Sequence, residues 1–146
     1  MNKSKQLVYL AQSDTTVGLL SSDKIKLNKI KNRPPNKPCI ECLCSVHTKN
    51  IRVPKEHKNL VRRSHKTTFV LQNGYSFRIV KNSLHADFLE KFGNIYSTSA
   101  NETNKHFDFN FAYNVSDVIV EDERSLFEAY PSQILKIGKN KIKKIR

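Results

Sequence analysis

Two β-rich runs, TTFVLQ (Thr67 to Gln72) and YSFRIV (Tyr75 to Val80), stand on either side of Asn73-Gly74. Asn-Gly between two such runs is a strong short-range hairpin signal, so this stretch predicts two antiparallel strands. Directly after it, Asn82-Ser83 offers a helix cap, and Leu84, Phe88 and Phe92 recur at i, i+4 and i+8 with Leu89 widening the stripe. Gly93 sits where a helix C-terminal cap belongs, and NIYST reads as a strand again. Hairpin, helix and strand in that order exclude an all-helical bundle and a pure β-sandwich. They require a sheet with a helix on its face.

The rest of the chain fits that frame. QLVYLAQ (Gln6 to Gln12) reads as a first strand leading into SDTTVGLL, and Ser22-Asp23 caps a short helix carrying Ile25, Leu27 and Ile30. That helix must end by Arg33, because Pro34 and Pro35 disfavour its continuation. CIECLCSV reads as β-rich, HKNLVRRS as a helical turn or two, SDVIVE as a strand and RSLFEA as a short helix. SQILKI and KIKKI form a terminal hairpin around Gly138-Lys139-Asn140. No internal repeat, low-complexity linker or domain boundary interrupts the 146 residues, which gives one α/β domain with a mixed sheet over 1–146. No apolar run is long enough to span a bilayer, and MNKSKQLVYL lacks the apolar core of a signal peptide. The expectation is a cytoplasmic protein with no membrane segment.

The net charge of +13 is unevenly spread. Between Asp23 and Lys66 stand 13 Lys or Arg against 3 acids, and the last eleven residues hold six basic residues and no acid. From Ser97 to Tyr130 the balance reverses to seven acids and two basic residues. A field of this sign attracts nucleotide phosphates or nucleic acid, and leaves open a merely solvated basic surface. Cys39, Cys42 and Cys44 have a spacing that invites a metal site, yet Cys42 and Cys44 share one strand face while Cys39 points to the other. With no second pair to complete four ligands, they read as small buried hydrophobes. The histidines at 47, 57, 65, 85 and 106 make no ligand spacing and read as surface or satisfied structural residues. No phosphate-loop motif, dinucleotide fingerprint or nucleophile elbow is present.

Two polar groupings rise above this background. KNRPPNKP (Lys31 to Pro38) holds Lys31, Arg33 and Lys37 on a proline-stiffened loop, an arrangement suited to polyphosphate. STSAN (Ser97 to Asn101) presents Ser99 and Asn101 from the end of a strand, where ligands of α/β sheets tend to sit.

Taken in order, these groupings resemble the YrdC-like family of threonylcarbamoyl-AMP synthases. SDTTVGL (Ser13 to Leu19) is similar to the family's P-T-D-T-x-Y-G-L, KNRPPNKP to K-x-R-P-x-x-K-P, FRIV to V-R-V-P and STSAN to T-S-A-N. PSQILKI (Pro131 to Ile137) resembles P-S-T-I-V, and the closing KKIR resembles the I-L-R that ends the family domain. The resemblance covers nearly the whole chain, from Leu7 to Arg146. It implies a single domain with a twisted mixed sheet and flanking helices around a large open cavity. It also implies that threonine, bicarbonate and ATP become threonylcarbamoyl-adenylate and pyrophosphate, with Mg²⁺ sharing the phosphate charge and no metal held by protein side chains. On that resemblance Lys31 and Arg33 are the catalytic cations. Lys31, Arg33, Lys37, Thr68, Ser99, Asn101 and Arg146 would bind ATP, and Thr15, Arg78, Ser97 and Ser132 would surround threonine. The implied partners are tRNA threonylcarbamoyl-transfer proteins and tRNA or double-stranded RNA on the basic surface.

The sequence departs from the pattern mainly around the amino-acid pocket. Gln12 stands in place of Pro, Val17 in place of Tyr, Cys42 in place of a His, and Glu102-Thr103 in place of Ser-Gly. Two readings follow: a compact synthase, or a relative that binds nucleotide or RNA without this reaction. The basic residues Arg62, Arg63 and the C-terminal lysines would then matter most.

Overall fold

A computed structural model describes residues 7–45, 51–81, 83–93 and 95–146. Strands β1 (Tyr9–Gln12) and β2 (Val17–Ser21) form a hairpin, paired from Tyr9 with Leu20 to Gln12 with Val17. Helix α1 (Lys24–Ile30) follows, with the Asp23 carboxylate accepting from the Ile25 and Lys26 amides. After β3 (Ile40–Leu43), a 3₁₀ turn (Lys55–His57) runs into α2 (Lys58–Arg63). The hairpin β4 (Thr67–Val70) and β5 (Ser76–Ile79) forms around Asn73-Gly74, where Gly74 takes φ +87° and the Asn73 side chain accepts from the Tyr75 amide. Then come α3 (Leu84–Phe92), β6 (Ile95–Ser99), α4 (Phe109–Val115), β7 (Val118–Ile119) and the C-terminal hairpin β8 (Gln133–Ile137) and β9 (Ile142–Lys144). Gln6, Val46, His47, Asn82 and Asn94, which figured in the sequence reading, lie outside the described residues.

Among the described residues, nine strands join one sheet in the order β7-β1-β2-β6-β3-β5-β4-β8-β9. The β1–β7, β3–β5 and β4–β8 pairs are parallel and the others antiparallel, so the expected mixed α/β sheet is present. Alternation along β1 and β2 divides the core between the two faces. Leu10, Val17 and Leu19 pack with Leu27 of α1 and Ala112 of α4, while Ala11 and Leu20 pack with Ala86 and Leu89 of α3. A third cluster joins Phe69, Phe77 and Ile137 to Val61 of α2.

Two expectations need correction, and one helix was not expected. The buried face of α3 is His85, Ala86 and Leu89, one step round from the expected stripe, and Leu84 and Phe92 are exposed. Phe88 and Phe92 instead meet one another in a tilted contact at 4.5 Å and Tyr9 in edge-on and tilted contacts at 5.7 and 5.1 Å, with the smaller Ala86 on the sheet. RSLFEA forms no helix. Ser125 adopts φ +58°, and the segment is tied to the β1–β2 turn by Phe127 N to Gln12 Oε1 (2.9 Å) and Ala129 N to Thr16 Oγ1 (3.0 Å). Helix α4, which the sequence reading passed over, is capped by the Asp108 carboxylate on the Asn110 amide and buries Ala112. Among the described residues no helix is long and apolar enough to cross a membrane.

Candidate functional site

The start of β2, the start of β3 and the end of β6 lie side by side, since Gly18 pairs with Ser99 and Ile40 with Ser97. At this corner a concave pocket of about 220 Å³ opens. Gly18 is needed for the approach: a Cβ there would stand 3.3 Å from the Thr98 carbonyl and 3.5 Å from Ser97 Oγ. The strand ends supply small hydroxyls, Thr15 and Thr16 before β2, then Ser97 and Ser99 on β6. Ser132 adds another from the start of β8.

Three guanidiniums converge on these hydroxyls from segments far apart in sequence: Arg33 after α1, Arg78 on β5 and Arg146 at the last position. They are not equivalent. Arg78 is buried and its Nε and Nη2 hold Asp14 Oδ1 at 3.1 and 3.0 Å, so its charge is already paired. Arg146 is anchored by Nε donating to the Ser132 carbonyl at 2.9 Å, and burial together with the Arg78 charge pushes its pKa down. Arg33 is the unsatisfied one. Its Nε is buried without a hydrogen-bond partner, and its Nη2 meets Cys39 Sγ at 3.9 Å. A buried guanidinium nitrogen with no acceptor is costly.

The residues singled out from sequence divide into three groups. Thr15, Arg33, Arg78, Ser97, Ser99, Ser132 and Arg146 line the pocket. Thr68 lies behind it, its hydroxyl 2.7 Å from that of Ser132. Lys31, Lys37 and Asn101 do not line it. Lys31 is buried and its Nζ donates to the Ser99 carbonyl (3.1 Å), the Asn101 carbonyl and Asn101 Oδ1 (3.2 Å). Burial, with the Arg33 charge adding to it, brings Lys31 down to a pKa of about 8. Asn101 Nδ2 donates to the Glu102 and Lys105 carbonyls, so this side chain shapes the loop. Lys37 is exposed, and its carbonyl accepts from Asn28 Nδ2 at 2.9 Å.

Asp14, Gly18, Cys39 and Pro131 belong to the site or its wall and were not assigned to it from sequence. Asp14 was within reach of that reading, as the one acid inside SDTTVGL. The departures from the family pattern have structural roles: Gln12 holds the 124–129 segment, while Val17 and Cys42 are buried in the core. Burial also pushes the Cys42 thiol pKa up. Two histidines are not satisfied as expected, since His57 Nε2 and both ring nitrogens of His85 lack a partner. Burial lowers His85 to a pKa of about 4, which keeps it neutral. Among the described residues no group of three or more His, Cys, Asp or Glu could hold a metal ion.

No protein-family model matches the sequence, and neither does any curated protein. Solved structures do match its fold. Sua5 of P. abyssi complexed with L-threonine superposes with a TM-score of 0.77 at 17% identity, over 96% of this chain and 50% of that one. YciO of E. coli gives 0.78 at 15% identity, over 98% and 84%. HypF in a phosphate- and nucleotide-bound form gives 0.74 at 15% identity, over 96% of this chain and 26% of that one. The chain thus spans about half the length of the Sua5 protein. At these identities the shared property is the fold, the α/β sheet domain that the sequence resemblance implied.

Proposed function

We propose that the arginine pocket holds the phosphates of ATP, and that the protein forms threonylcarbamoyl-adenylate from threonine, bicarbonate and ATP. The observation that carries this reading is Arg33, which lines a hydroxyl-rich pocket with Arg78 and Arg146 and whose Nε has no acceptor within the protein. In the reaction, threonine and bicarbonate first give threonine carbamate and water. A carbamate oxygen then bonds to the α-phosphorus of ATP, the bond from that phosphorus to the bridging oxygen breaks, and pyrophosphate leaves. Nucleophile and target are both anionic, so fixed cations and hydrogen-bond donors are what the protein must supply. Arg33 and Arg146 supply uncompensated charge, whereas Arg78 is balanced by Asp14. Ser99 donates to the nucleotide, and Thr15, Ser97 and Ser132 surround the amino acid. Lys31 and Asn101 act indirectly, by fixing the backbone that carries Ser99. Mg²⁺ would arrive with the ATP phosphates, because the described residues offer no carboxylate set to hold it. The product would pass to tRNA through separate transfer proteins.

The L-threonine complex of P. abyssi Sua5, half of which this chain matches in fold, supports this reading, as does the nucleotide-bound state of HypF, of which it matches 26%. A second reading, nucleotide or double-stranded RNA binding without the reaction, has support in the exposed cations Arg62, Arg63, Lys143 and Lys144 outside the pocket. Pyrophosphate release measured with ATP and bicarbonate, with and without threonine, separates the two. Threonine-dependent release is expected. A folded protein that binds ATP or RNA but releases no pyrophosphate in response to threonine would sink the first reading and leave the second.

A further inference from the structure

Helix α1 buries Leu27 and Asn28, and the second is an unusual residue for that place. Asparagine is a poor helix former, and its carboxamide is costly to bury unless each polar atom finds a partner. Asn28 is fully buried, and its partners all come from the segment that follows the helix. Its Nδ2 donates to the Pro35 carbonyl at 3.2 Å and the Lys37 carbonyl at 2.9 Å, while Oδ1 accepts from Cys39 Sγ at 3.4 Å. Its main-chain carbonyl accepts from Arg33 N at 2.8 Å. One residue thus ties down Arg33, Pro35, Lys37 and Cys39.

That segment needs an outside partner. Residues 34–38 are exposed, and Pro34, Pro35 and Pro38 have no N–H with which to build a ladder of their own. Its internal turn, Lys37 N to the Pro34 carbonyl at 3.0 Å, leaves the Pro35 and Lys37 carbonyls for Asn28. Arg33 depends on the same hold. Its Nη2 meets only a thiol, Cys39 Sγ at 3.9 Å, and its Nε has no acceptor, so the backbone and not a partner at its tip sets the direction of this side chain. Pro34 contributes by disfavouring the helical conformation at Arg33. Cys39, which lines the pocket beside Arg33, is in turn held by Asn28 Oδ1.

We infer that Asn28 is the positioning residue of the phosphate site: from outside the pocket, its carboxamide fixes the loop that carries Arg33 into it. The inference rests on the nucleotide reading above. It assigns control of Arg33 to a residue that does not line the pocket, since a cation already held in place loses less on binding than one that must first be ordered.

Two substitutions separate this role from packing. Asn28→Ala removes the carboxamide and its volume, whereas Asn28→Leu removes the hydrogen bonds and keeps the volume. Thermal melts and amide hydrogen exchange are measured on both, then calorimetric titration with ATP, each in the wild-type background and with Arg33→Met. Both variants are expected to fold, with exchange about tenfold faster at the Arg33 and Lys37 amides and a smaller change along β4 and β5. Both should bind ATP about tenfold more weakly than wild type, the size of one charged hydrogen bond. With Arg33→Met present the further loss should be less than twofold, because the effect runs through Arg33. Wild-type affinity in Asn28→Leu would make Asn28 a packing residue and overturn the inference. So would an equal loss in the Arg33→Met background, uniformly faster exchange, or failure of both variants to fold, each of which makes Asn28 part of the framework. If the wild-type protein binds no ATP, the nucleotide reading fails and this one with it. If it binds ATP and both variants match it, this inference alone fails.

Discussion

Arg33→Met should make the protein more stable and worse at binding ATP, two effects that a merely structural arginine could not combine. In the ligand-free fold Arg33 Nε is buried with no acceptor, its Nη2 has only a thiol 3.9 Å away, and its charge depresses the ionisation of buried Lys31. A buried polar group left unpaired costs about 1–3 kcal/mol, and partial solvent access at this side chain puts the relief near the lower end, about 1 kcal/mol. In a domain of this size that corresponds to a rise in Tm of about 2–4 °C, given that methionine fills much of the same stem volume. Binding moves the other way. Hydrogen bonds from a charged donor contribute about 1.5–3 kcal/mol each, so losing one such contact to a phosphate lowers ATP affinity roughly 10- to 150-fold. Thermal melting and calorimetric titration of the same preparations read both quantities. A variant that melts several degrees lower and binds ATP within twofold of wild type would refute the reasoning, because it would make Arg33 part of the framework and not of the site.

Lys31 and Asp14 give two further checks. Lys31 is lowered from the ordinary 10.5 to about 8, so between those values the unfolded chain binds more protons than the folded one, and stability should rise with pH through that window. After allowance for solvent screening the wild type should gain about 1–2 kcal/mol over Lys31→Met between pH 8 and 10.5 in urea unfolding, and parallel curves would refute the assignment. Asp14→Asn strands the buried Arg78 charge and should cost about 3–5 kcal/mol by the same measurement. A loss below about 1 kcal/mol would mean that water or another group already shares that guanidinium.

The parts of the fold legible in the sequence were those with local causes. Asn73-Gly74 fixes its hairpin locally, through the positive φ of Gly74 and the Asn73 side chain accepting from the Tyr75 amide, and Asp23, Ser83 and Gly93 mark helix ends that a cap hydrogen bond or a positive φ then confirms. The errors arose where tertiary contacts decided the outcome. In RSLFEA, Arg124 donates to the Gln12 and Ser13 carbonyls and Phe127 N to Gln12 Oε1, contacts more than a hundred residues distant in sequence. Those long-range bonds, together with the left-handed Ser125, outweigh a weak helical pattern over six residues. The face of α3 was misjudged for the same reason, since Phe88 and Phe92 pack on Tyr9 of β1.

The candidate site was legible as residues that come together but not in how each is held, and the reason lies in one dihedral angle. Lys31 and Arg33 both read as phosphate ligands because they are cations two residues apart. Lys31 caps α1, and its own amide donates back to the Leu27 carbonyl. Asn32 then takes φ +55°, the left-handed conformation that asparagine tolerates, and reverses the chain as the helix ends. Arg33 N returns to the Asn28 carbonyl at 2.8 Å, closing that turn. The two cations therefore leave the backbone on different sides: Lys31 Nζ toward the carbonyls of Ser99 and Asn101, Arg33 into the pocket. Thr103 Oγ1 donates to the Lys31 carbonyl at 2.9 Å, so helix end and loop hold one another from both directions. A lysine satisfied by uncharged oxygens orders the loop without neutralising a ligand, and an arginine left unsatisfied is free to do so. Replacing Asn32 by a β-branched residue would strain this reversal and disturb both cations together, which is why one residue with no functional group in the site controls its charge.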